Sequence, residues 1–145
     1  MTTAMPSDAA ERFRAQPDAR RIVVGPDAGG PCRHCLRLGA PGETLLLVTY
    51  DPFTGTSPYA VPSPVFVHAD SCERHVAREL PAFVATGGLR SIRAYDANHD
   101  LVDGDVVTGD EVEDTAARLL KDDRVAYLHA HAAVEGCFTF RVDRP

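Results

Sequence analysis

Val125-Ala126-Tyr127-Leu128-His129-Ala130-His131-Ala132, followed by Val134-Glu135-Gly136 and then Cys137-Phe138-Thr139-Phe140-Arg141-Val142, is the stretch that decides the fold class. Both outer segments have strand character, and Val134-Glu135-Gly136 between them makes a turn ending in glycine. Strands joined by so short a turn must pair antiparallel. Side chains alternate across a strand, so Leu128 and Ala130 face one way while Tyr127, His129 and His131 face the other. If Phe138, Phe140 and Val142 join the apolar face, Cys137, Thr139 and Arg141 fall beside the histidines. His129, His131 and Cys137 are therefore the candidate catalytic residues, expected on one polar face near the hairpin tip. A His-x-His pair on a strand can present two imidazoles to one ion, although solvent-facing histidines on a half-buried sheet make the same pattern.

Outward from this hairpin, Leu89 to Tyr95 and Leu101 to Val107 read as a second one around Asp96-Ala97-Asn98-His99-Asp100. The acidic turn imitates the opening of a calcium loop. Leu101 stands where that loop needs glycine and Val107 where it needs a bidentate glutamate, so turn chemistry is the better reading. Thr108 and Glu111 form a capping box, and Val112, Ala116, Leu119 and Leu120 share one face of the helix that follows. Earlier in the chain, Arg21–Val24, Glu43–Tyr50 and Val65–His68 are strand candidates. Asp70 and Glu73 suggest another capping box, opening a helix near Ser71 that is interrupted or restarted at Leu80-Pro81. The proline-rich loop 51–64, with Gly55 inside it, is long enough to serve as a lid or binding edge, or to be a surface excursion stiffened by proline. Residues 1–20 read as a flexible arm with a short helix around Asp8–Ala15. Residues 21–145 form a single α+β domain: a mostly antiparallel sheet of five to seven strands with two main helices packed on it.

Composition narrows the function. The 145 residues are 44% hydrophobic and 25% charged, with a net charge of −6 and a pI near 5.4. No basic field exists to hold a phosphate backbone, so nucleic acid is not an expected partner. No apolar run reaches the roughly twenty residues that cross a bilayer. The expectation is a soluble cytoplasmic protein without a membrane partner, and nothing in the sequence specifies an oligomeric state. In a reducing compartment four cysteines favour metal binding, redox chemistry or plain burial over structural disulfides.

Cys32-Arg33-His34-Cys35 is the pattern with chemistry in its spacing. Two thiols two residues apart can clasp one metal ion or close a small disulfide ring. Cys72-Glu73-Arg74-His75 lies about forty residues on, a separation common between the ligand pairs of structural zinc sites. The candidate metal ligands are Cys32, Cys35, Cys72 and His75, with His68 and Cys137 as alternatives, and zinc is the candidate cofactor. Unligated, reduced cysteines are the competing reading. A thioredoxin-type motif fits less well, because no strand-to-helix unit surrounds the cysteine pair.

Several segments together carry a family resemblance. Pro31-Cys32-Arg33, Pro41-Gly42-Glu43, Ser57-Pro58-Tyr59, Pro64-Val65-Phe66-Val67, Arg93-Ala94-Tyr95-Asp96, Val125 to His129 and Gly136-Cys137-Phe138 occur in order. From about Arg21 to Arg144 the chain resembles a bacterial family known only as domain of unknown function twelve hundred and three. The resemblance implies a small single-domain bacterial protein and no particular activity. It also implies that Cys32 and Cys137 belong to the common motifs, which would pair Cys32 with Cys137 and Cys35 with Cys72. Three functions then compete. The favoured one is a non-catalytic or regulatory domain with a structural zinc or thiol site. The others are a metal-dependent or cysteine-based enzyme acting on a small molecule near the 51–64 loop, and an interaction module with no site.

Overall fold

In a computed structural model of the chain, residues 1–53 and 57–145 are described, so Gly55 and its two neighbours in the proline-rich loop lie outside the described residues. The strands are β1 Thr2–Thr3, β2 Arg20–Val23, β3 Thr44–Tyr50, β4 Ser63–His68, β5 Val76–Ala77, β6 Arg90–Tyr95, β7 Leu101–Val107, β8 Tyr127–Ala132 and β9 Phe138–Asp143. The helices are α1 Ser7–Arg14, α2 Ala82–Thr86 and α3 Val112–Leu119, the last entered through a 3-10 turn at Gly109–Glu111. The class is α+β, as the short turns between strands required. The strands divide into two sheets: a six-stranded one ordered β5-β1-β9-β8-β6-β7 and a three-stranded one ordered β2-β3-β4, with antiparallel pairing throughout both.

The large sheet buries one face against α3. Val112, Ala116 and Leu119 recur on one side of that helix and meet Ile92, Ala94, Leu128, Ala130 and Phe140 from the strands beneath. Phe140 is fully buried at the centre of this layer, where truncation to alanine would cost roughly 3–5 kcal/mol. The predicted capping interaction is present: Glu111 Oε2 accepts from the Thr108 amide at 3.0 Å and from its hydroxyl at 2.8 Å. In the β6–β7 turn the Asp96 carboxylate accepts from the amides of Asn98 and Asp100 at 2.8 and 3.0 Å. That carboxylate organises its own turn, in keeping with the rejection of a calcium loop.

The first twenty residues, expected as a flexible arm, are built into the fold. Thr2 and Thr3 insert between β5 and β9, and Met5, Ala9 and Ala10 are buried. Small alanines let α1 lie close against Leu46, Val48, Val65 and Val67 of the small sheet, making a second core. The polar sequence concealed this because α1 is short and buries only a narrow stripe.

Two further expectations are corrected. The Asp70/Glu73 pair caps no helix: residues 70–75 are irregular and lead into β5, and helix begins only at Ala82, after Pro81. Local capping chemistry is overridden by the main chain, since the His75 amide donates to the His34 carbonyl at 2.9 Å and β5 pairs with β1. In the β8–β9 hairpin the register shifts between Ala130 and His131, which face Phe140 and Phe138. Thr139 is the extra residue of this bulge. Phe138 consequently turns to the histidine face, with ring centroids 4.9 Å from His129 and 5.9 Å from His131.

Candidate metal centre

Three segments converge beside the small sheet. The loop from Pro31 to Leu38 folds back on itself, with the Cys32 amide donating to the Arg37 carbonyl and the Leu36 amide to the Cys32 carbonyl. Leu36 accepts a φ of 53° to close this loop and buries its side chain in the main core. The loop is anchored to β4 by a bridge between Cys32 and Phe66 and by an Arg33 amide to Phe66 carbonyl bond of 2.8 Å. Gly30 permits that approach, because a Cβ there would come within 2.4 Å of the Phe66 ring. β4 ends on His68, and the irregular segment after it delivers Cys72.

Cys32, Cys35, His68 and Cys72 each direct one ligand atom into a common space, all four atoms lying within 4.8 Å of one another. Cys32 Sγ stands 3.9 Å from Cys72 Sγ, and Cys35 Sγ stands 3.3 Å from His68 Nδ1. All four cysteines of the chain are free thiols. A cluster of three thiols and one imidazole can hold a metal ion. Cys32, Cys35 and His68 are buried and Cys72 is half-buried, so the centre lies under the surface.

The surroundings suit anionic sulfur. The His68 amide donates to Cys32 Sγ at 3.3 Å. With the Cys35 thiol as the leading donor, and backbone amides assisting, the Cys32 pKa is held below the ordinary thiol range. The same shared proton pushes Cys35 upward. Burial raises Cys72, yet Arg14 Nη2 donates to its sulfur at 3.1 Å and His34 Nδ1 lies 3.2 Å away. His34 Nε2 is 3.0 Å from Ser7 Oγ. The imidazole of His34 thus bridges the Ser7 hydroxyl and the Cys72 sulfur. His68 Nε2 lies 3.2 Å from Glu43 Oε1, which leaves Nδ1 directed into the cluster. A carboxylate behind an imidazole is the usual support of a metal-ligating histidine, because it fixes ring orientation and tautomer.

The other candidates lie elsewhere. His75, chosen from its spacing to Cys72, is outside the cluster: its amide braces the loop, while its Nε2 is buried without a partner. His68 was the alternative, and its place became apparent only when β4 carried it beside Cys35. Cys137 is separate from Cys32, so the implied Cys32–Cys137 pair is not formed. Cys35 and Cys72, the other implied pair, do come together within the cluster, both as free thiols. His34, Arg14 and Glu43 were missed as supporting residues. Only His34 carried a signal, its position inside the cysteine pair.

His129 and His131 are buried on an aromatic face. The His129 ring lies 4.8 to 5.2 Å from those of Phe53, Tyr95, Tyr127 and Phe138. Burial lowers the pKa of His129 to about 2 and that of His131 to about 4, so both stay neutral. His129 Nδ1 and His131 Nε2 have no hydrogen-bond partner. Cys137 does not join them; it lines a cavity with Arg90, Ala132 and Thr139.

A family model described as "Protein of unknown function (DUF1203)" matches residues 29–144. The chain belongs to this family. The match spans all four residues of the cluster, whereas β1 and α1 precede it. A search of curated proteins and a search of solved structures each give no match. Among the described residues, no helix is long and apolar enough to cross a membrane.

Proposed function

We propose that this is a non-catalytic domain organised by a structural zinc ion, held by Cys32, Cys35, Cys72 and His68. The observation that carries the reading is the convergence of four ligand atoms within 4.8 Å. With zinc–sulfur bonds of about 2.3 Å, a tetrahedral site separates its sulfurs by about 3.8 Å. The Cys32–Cys72 separation of 3.9 Å matches that edge. Three thiolates and a neutral imidazole close the tetrahedron, leaving no position for substrate, and so favour a structural over a catalytic role. Their excess negative charge is met by the Arg14 guanidinium at Cys72. Such an ion ties α1, the 31–38 loop and β4 together, as expected of a scaffold in a reducing compartment.

Metal analysis of the full chain purified under reducing conditions tests this. One zinc per chain is expected, with loss of stability on chelation. Metal-free, fully folded protein whose stability ignores added zinc would overturn the reading. The choice of histidine is tested separately: His68→Ala should lose zinc while His75→Ala retains it.

A further inference from the structure

The two sheets, the 31–38 loop and α2 line a cavity of about 560 Å³, within the range of small-molecule sites. Its walls include Leu38, Leu47, Phe66 and Phe83, and its mouth is bordered by exposed Thr86 and Glu135. Two arginines line it, Arg33 at 4% and Arg90 at 9% exposure. Buried guanidinium groups are ordinarily paired with carboxylates, because an unpaired buried charge is expensive. Here, among the described residues, neither has a carboxylate within 4.0 Å.

Arg33 is fixed by carbonyls alone: Nε donates to Phe138 O at 2.5 Å, and Nη1 donates to Pro31 O. Arg90 has less. Its Nε is buried with no hydrogen-bond partner, and its guanidinium carbon stands 5.9 Å from the centre of the Phe83 ring. A Cβ on Gly87 would collide with Arg90 Nη2, so that glycine leaves the guanidinium its space. A guanidinium stays cationic at neutral pH.

We propose that this cavity binds a small organic monocarboxylate, with the carboxylate on Arg90 and Arg33 and an apolar body against Phe66, Phe83 and Leu47. A guanidinium presents the planar pair of donors that a carboxylate fills. Glu135, whose charge acts on both guanidiniums from beyond contact distance, and the apolar walls disfavour a dianion such as phosphate more than a monoanion with an apolar body.

Titration calorimetry of the full chain with octanoate tests it, with 1-octanol and inorganic phosphate as comparison probes. Octanoate should bind one per chain, at least tenfold tighter than octanol, and phosphate should not bind. Arg90→Gln should weaken octanoate at least tenfold and leave octanol unchanged, with circular dichroism verifying the fold. Thr86→Asp, an exposed change that adds negative charge at the mouth, should weaken octanoate in the same direction and remains usable if Arg90→Gln does not fold. Absence of octanoate binding, equal binding of octanol, binding of phosphate in its place, or indifference to both substitutions would each overturn the proposal.

Discussion

The cysteine cluster and the paired histidines of β8 are both built from good metal ligands, yet their surroundings differ. Around the cluster, Arg14 and the His68 amide donate to ligand sulfurs, His34 contacts the Cys72 sulfur, and the Glu43 carboxylate accepts from His68. Around His129 and His131 lie aromatic rings, and one nitrogen of each ring has no partner. Polar support favours an anionic Cys32 sulfur and directs an imidazole into the cluster, whereas burial among aromatic rings holds the β8 imidazoles neutral. Ligand type alone therefore does not make a site; the groups behind the ligands do.

The largest expected effect breaks the comparison from the cluster side. Cys72→Ser should abolish stoichiometric zinc. For a metal present at about a thousandfold over its dissociation constant, this should lower unfolding free energy by about 4 kcal/mol in urea titrations. The double replacement of His129 and His131 by phenylalanine should leave zinc content intact.

Acid breaks the comparison from the histidine side. Unfolded histidines take up a proton near pH 6.5, while the folded pKa values are lowered to about 2 for His129 and about 4 for His131. Below pH 6.5 the unfolded state thus binds more protons, and stability falls as pH falls. The window runs from about 6.5 down to about 4 for His131 and on to about 2 for His129, with a slope approaching 1.4 kcal/mol per pH unit for each residue. His129→Phe should flatten the dependence between pH 6 and 4 when compared with the parent, both measured in chelator. An unchanged slope would mean that the ring is hydrated and protonates in the folded state.

Glu43→Ala sharpens the comparison by removing polar support from His68 while leaving every ligand in place. Zinc affinity, measured by competition with a chromophoric chelator, should weaken by about 10- to 100-fold. An effect below twofold would show that the carboxylate serves only the Ala40 amide, to which it also bonds at 2.6 Å. Smallest is Thr108→Ala, far from both regions. It should cost about 1 kcal/mol in thermal or urea unfolding with zinc content unchanged.

The two hairpins, the capped entry to α3 and the antiparallel class follow from local pattern: alternation in 89–107 and 125–142, short turns, and Glu111 three residues after Thr108. Cys32 and Cys35 also announced themselves, because two thiols so close in sequence remain close in any fold. The remaining ligands depended on long-range placement. Spacing favoured His75, on the premise of a helix at Ser71, but β4 pairing brought His68 to Cys35 and the chain after Asp70 took an irregular path. A bulge at Thr139 then moved Phe138 onto the histidines and left Cys137 in the cavity of Arg90. Periodicity and capping are local properties that the sequence determines by itself. Which ligand completes a cluster, which strand shifts by one residue and which arginine is buried without a partner are decided where distant segments pack, and only the tertiary structure contains those contacts.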